Sequence, residues 1–148
     1  MTQLENRRLL LDTHVFLWLL IGSGELERSG RVAEIEAAAE QDSLCLSAIS
    51  IWELTEMELR GVLRLSQPTQ AWLEQALGSP GLRVVAVDRE ISFAAATLPD
   101  RFEGDFADRC IVATARTHNC ELLTADAAIQ RYAAGGYVRV AAIAREHR

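Results

Sequence analysis

Asp12, Glu53, Asp108 and Asp126 are the residues with most chemistry to offer. Three of these carboxylates fall at helix starts, and Glu53 lies inside a helix near its beginning. If the four converge, like charges at close range cannot all stay ionised without a counterion, so either one pKa rises sharply or a cation is bound. Hard oxygen donors with no matching His or Cys set point to Mg²⁺ or Mn²⁺ rather than zinc. Such an ion suits phosphoryl chemistry, because it acidifies a water, clamps a non-bridging phosphate oxygen and stabilises the departing one. No Ser-His-Asp or Cys-His arrangement competes with it. Thr13, Ser47 and Thr124 stand beside the acids and read either as orienters of carboxylate or water, or as plain caps. His14 is close to Asp12 in sequence, but a histidine at a helix start is more often structural or exposed.

Each acid also has a plainer reading. Asp105 and Asp108, spaced i, i+3, open a helix that is apolar or small at nearly every position from Phe106 to Ala115, and both suit a capping pair stabilised by unpaired N–H groups. Asp12 and Asp126 fit the same role. Glu53 is harder to dismiss. Glu56 has Arg60 at i+4 and makes an ordinary solvated pair, whereas Glu53 shares its row with Ile49 and Met57 and has no cation at either spacing.

The elements that must position these residues alternate. Arg8 to Leu11 reads as a strand ending in Asp12, followed by a helix from Thr13 to Ile21 that Gly22-Ser23-Gly24 breaks. Ser29 is placed as the cap of an Ala- and Glu-rich helix running to about Gln41. Leu44-Cys45-Leu46 is a buried strand, Ser47 an N-cap, and Ala48 to Arg60 a helix closed by Gly61. A helix near Gln67 to Leu77, a strand from Arg83 to Val87 and a helix from Arg89 to Leu98 capped by Asp88 follow. After the loop Pro99 to Gly104 come the helix that Asp105 opens, a strand from Glu121 to Leu123, a short helix from Ala127 to Ala133 and a last strand near Val138 to Ala141. Strands alternating with helices imply an α/β fold, a three-layer α/β/α sandwich with a mostly parallel sheet. Ligands of such sheets bind beyond the carboxyl ends of the strands, where Asp12 and Asp126 fall.

The 148 residues fit one domain, 1–148, with 49% hydrophobic and 24% charged residues and no repeat. The run Val15 to Ile21 is too short to span a bilayer, and the N-terminus lacks the order of a signal peptide, so a cytoplasmic location away from membranes is expected. Cys45, Cys110 and Cys120 lack CxxC spacing and read as reduced core residues. The net charge of −6 argues against a general nucleic-acid clamp but is compatible with a nuclease whose acids are neutralised by metal while separate arginines hold phosphates. There is no lysine, which removes P-loop, Schiff-base and phospho-receiver chemistry.

Four blocks of the chain resemble the PIN domain, and within it the VapC-type toxin ribonucleases of bacterial toxin–antitoxin pairs. Leu9 to Leu20 is similar to the family's opening "LLDTH…LW", Leu46 to Leu54 to its "LSA-S-WE" segment, Asp105 to Arg116 to its third block, and Leu122-Leu123-Thr124-Ala125-Asp126 with Ile129 and Tyr132 to its fourth. By that match Asp12, Glu53, Asp108 and Asp126 fall on acidic metal-binding positions, with Asp105 an additional acid at the rim. The resemblance implies Mg²⁺- or Mn²⁺-dependent endonucleolytic cleavage of RNA, a homodimer, and inhibition by a cognate VapB-type antitoxin in a higher-order complex. The chain departs from the usual "LP-x-x-F-H-G-D-P-A-D-R" at Glu103, which replaces His, and at Phe106, which replaces Pro. Glu103 adds negative charge at the entrance, so RNA choice is where the family is the weakest guide.

Positive contacts for RNA are sought at Arg109 and Arg116, with Arg101 beside them and Arg60 and Arg64 further off; each also suits a surface ion pair. Trp18, Trp52, Met57 and Leu59 offer an apolar groove for a partner helix, or simply core. A competing function is a catalytically silent PIN-like binding module acting through its antitoxin complex. A small-molecule phosphatase is a third, but it would want a second Asp where His14 stands.

Overall fold

The computed structural model describes residues 7–144. Five strands, β1 (Arg8–Leu11), β2 (Leu44–Ser47), β3 (Leu82–Val85), β4 (Cys120–Thr124) and β5 (Val140–Ala142), form one parallel sheet in the order β3-β2-β1-β4-β5. Leu10 pairs with Cys45 on one side and with Leu122 on the other, which fixes β1 at the centre. Side chains of a strand alternate between faces. Leu9 and Leu11 therefore enter one core cluster and Leu10 the other.

Helices α1 (Thr13–Ile21), α2 (Gly24–Ser29), α3 (Val32–Glu40), α4 (Ala48–Leu59) and α5 (Thr69–Leu77) supply most of the first cluster, built on Phe16, Trp18, Ile35 and Leu54. Helices α6 (Arg89–Ala96), α7 (Phe106–Thr117) and α8 (Ala127–Ala134) supply the second, which includes all three cysteines, each a free buried thiol. The result is the expected α/β/α sandwich. None of the described helices is long and apolar enough to cross a membrane.

Two local expectations change. Ser29 does not begin a helix: it ends α2, whose cap is Ser23, and its hydroxyl accepts from the Arg31 N–H at 3.1 Å at the start of α3. The third strand begins at Leu82, one residue earlier than expected, because Gly81 turns the chain at φ +82° with its Cα pressed on α3; a Cβ there would lie 1.9 Å from the Ala39 carbonyl oxygen.

After β1 the chain moves outward to β2 and β3, then crosses back to place β4 on β1's other side. The order reverses between β1 and β4, and a crevice opens there beyond the strands' carboxyl ends. Asp12 follows β1 and Asp126 follows β4, so the topology sets these two acids side by side.

Candidate metal centre

Asp12 is only 6% exposed, yet both its oxygens are engaged. Oδ1 accepts from the Thr13 N–H at 2.8 Å, and Oδ2 accepts from the Thr124 hydroxyl at 2.6 Å. Thr124 in turn accepts from the Asp126 N–H at 2.9 Å, so one fully buried hydroxyl ties the ends of β1 and β4 together. Thr13 does the same between α1 and α4. Its hydroxyl donates to Glu53 Oε1 at 2.5 Å and lies 2.7 Å from the Ser50 hydroxyl. With its one proton directed at Glu53, Thr13 must accept from Ser50. Ser50 was not singled out in the sequence; its signal was its place one helical turn before Glu53, on the same face of α4.

Capping and clustering turn out to be compatible. Asp105 opens α7 in a capping box: its Oδ1 accepts from the Asp108 N–H at 2.9 Å and Asp108 Oδ2 accepts from the Asp105 N–H at 3.4 Å. Asp126 Oδ1 caps α8 by accepting from the Ile129 N–H at 3.0 Å. Each cap uses one oxygen. Glu53 Oε2, Asp108 Oδ1 and Asp126 Oδ2 are left with no hydrogen-bond partner among the described residues. Ser47 is a plain cap, accepting from the Ile49 N–H at 3.2 Å. His14 is exposed, though its charge is near enough to ease the ionisation of Asp12.

The four acids and Asp105 feel one another. Burial pushes the Asp12 carboxyl above its usual range against the pull of Thr124 and the Thr13 N–H, and the charge of Asp126 pushes it further. Burial also raises Glu53, with Asp12 and Asp105 adding to the effect of burial and the Thr13 hydroxyl opposing it. Asp108 rises to about 7 through burial and the charges of Asp105, Asp126 and Asp12. No arginine or histidine forms an ion pair with any of them among the described residues. Among those residues no group of three or more His, Cys, Asp or Glu stands close enough together to hold a metal ion as the side chains are placed. What the carboxylates do offer is donor chemistry: hard oxygens, several without a hydrogen-bond partner, are the atoms Mg²⁺ or Mn²⁺ takes.

The arginines sought for RNA have other work. Arg109 donates to the carbonyls of Ala95 at 3.0 Å, Phe102 at 3.3 Å and Ala96 at 3.5 Å, bracing α7 against the end of α6. Arg116 donates to the Tyr137 carbonyl. Arg60 pairs with Glu56 at 3.6 Å, as the spacing indicated. Of the four apolar residues proposed for a groove, Trp18 is buried and Met57 packs on the core, while Trp52 and Leu59 stand exposed.

Residues 9–135 match the PIN domain family. The chain belongs to the PIN-domain family. This PIN domain is 36% identical over 117 residues to Ribonuclease VapC22 of Mycobacterium tuberculosis, a match spanning 79% of this chain and 85% of that protein. Its fold is shared by a VapBC2 structure from Rickettsia felis bound to a promoter DNA fragment (TM-score 0.66, 16% identity, 90% of this chain and 97% of that one). FitAcB from Neisseria gonorrhoeae is also similar, with TM-score 0.62, 27% identity and coverage of 89% and 95%.

Proposed function

We propose that this PIN domain is the toxin of a toxin–antitoxin pair, a cytoplasmic endoribonuclease that hydrolyses RNA phosphodiester bonds with Mg²⁺ or Mn²⁺ held by Asp12, Glu53, Asp108 and Asp126. The observation that carries the reading is the buried Asp12, pinned through both oxygens and facing three further acids with no cation of the protein's own among them. The similarity to a protein named as a ribonuclease supports the substrate class. When bound, the ion supplies the positive charge that acidifies a water and neutralises phosphate oxygens.

The protein's own contribution is orientation. Thr124 and the Thr13 N–H fix the Asp12 carboxylate, and the Ser50 to Thr13 to Glu53 chain presents Glu53 as an acceptor with Oε2 free for the site. Asp108, held at about 7 by burial and by the charges of Asp105, Asp126 and Asp12, would present its free oxygen to the ion. Asp105 holds Asp108 in place from the rim. For the partner, the apolar groove between α4 and α5, lined by Leu59, Leu73 and Leu77, suits an apolar segment of a VapB-type antitoxin in a complex built on a toxin homodimer.

Metal-stripped protein offered a total small-RNA pool tests the reading. Discrete cuts are expected when Mn²⁺ or Mg²⁺ is restored and are expected to be absent from Asp12→Asn. Metal that stabilises wild type and not the variant, with no cutting, would favour the silent binding module.

A further inference from the structure

An acid-lined centre repels an RNA backbone, so the positive contacts that hold substrate must come from beside it. Arg109 and Arg116 are committed to main-chain carbonyls. Arg101 and Arg131 differ: both are exposed and neither forms a hydrogen bond or ion pair among the described residues. They line one cleft of about 180 Å³ between the 100–103 segment and α8.

Aromatic contacts and a hydrogen bond join the walls of the cleft. Phe102, Tyr132 and Tyr137 form a column of rings with centroids 5.0 and 4.8 Å apart, and the Tyr132 hydroxyl donates to the Pro99 carbonyl, joining the two walls. Asp100 is already engaged, accepting from the Tyr137 hydroxyl at 3.1 Å. Its lining includes Glu103, two residues before Asp105, and Ala128, two residues after Asp126, and a Cβ on Gly104 would lie 2.4 Å from the Phe102 ring and 2.8 Å from Asp108 Cβ. The cleft thus adjoins the Asp108 end of the acids.

We propose that this cleft is a phosphate subsite in which Arg101 and Arg131 together hold one backbone phosphate of single-stranded RNA next to the bond that is cut. Guanidinium forks match phosphate oxygens, and two of them from separate elements define where the strand lies. Glu103, also in the lining, offsets part of the positive charge of the two arginines. The assignment rests on the ribonuclease reading.

The test is binding of a fluorescein-labelled oligouridylate to Asp12→Asn protein, followed by anisotropy over a salt series, with and without R101Q/R131Q. The glutamine pair is expected to weaken binding about tenfold. It should also lower the log–log salt slope by about 0.7, the value for one phosphate contact on a single strand. R101K/R131K, which keeps the charges, should recover most of the affinity, and all variants should melt with the parent. An unchanged affinity and slope overturns the subsite, as does failure of the parent to bind the oligouridylate, or an effect confined to antitoxin binding. Wild-type cleavage of RNA, scored separately, decides the nuclease reading: cutting with no effect of the glutamine pair sinks the cleft alone, and cleft-dependent binding without cutting sinks the nuclease alone.

Discussion

Asp108 carries a proton in the folded, metal-free chain at pH values where the unfolded chain has released it, because its carboxyl stands at about 7 rather than 3.8. A raised folded pKa stabilises fully below the unfolded value and is lost as pH climbs through the folded one. Metal-stripped protein should therefore melt at progressively lower temperature as pH rises from about 4 to about 7 on account of this group. Asp108→Asn should flatten that slope, and Mg²⁺ or Mn²⁺ should restore the wild-type melting temperature near neutrality; a slope identical in both proteins would count against the shift. Thr124→Val keeps the shape but removes a buried donor to Asp12 and an acceptor for Asp126. It should lower stability by about 1–3 kcal/mol in a urea titration and reduce cleavage as Asp12 loses its orientation. Asp12, Thr13 and Thr124 were legible because each sits where a strand ends. Ser50 offered only its place one turn before Glu53, because its bond to Thr13 spans 37 residues that no local pattern connects.

At the scale of elements, most helix starts were written in the sequence as caps. Asp88, Asp105 and Asp126 each accept from the backbone N–H three residues on. What was hidden was the six-residue α2, too short for a helical period to declare itself, so Ser29 looked like a beginning instead of an end. Arg109 has a structural role that the sequence did not announce. An arginine one residue after a catalytic-type acid reads as a phosphate contact, but its fork bridges the end of α6 and the loop at Phe102. Arg109→Ala should lower the urea midpoint by the equivalent of about 1–3 kcal/mol, and oligouridylate should bind the Asp12→Asn protein with the same salt slope with and without it. A reduced slope with unchanged stability would return Arg109 to the RNA-binding set.

For the whole molecule, the alternation of strands and helices announced a parallel α/β sandwich, and the resemblance of four blocks named its family. The strand order did not follow from either kind of local signal, because pairing joins segments such as Leu9 and Glu121 that are far apart in sequence. That order is what brings the acids of β1 and β4 to one crevice. The candidate acids could be nominated from residue types and spacing; whatever brings Asp12 and Asp126 side by side is a sheet order that only the folded chain displays.

The thiols are distributed with a bias that the fold makes useful. Cys45, Cys110 and Cys120 are at most 2% exposed and all lie in the cluster beneath α6, α7 and α8, while the cluster on the opposite face holds no cysteine. A thiol-alkylating reagent given to the native protein can react only when that one layer lifts from the sheet. Mass gain over time then records the opening of the α7 side, and loosening confined to α1 through α5 leaves no mark. The molecule carries a one-sided clock. Run with and without metal, it would tell whether loading the acids at the mouth of α7 clamps the helix to the sheet beneath it.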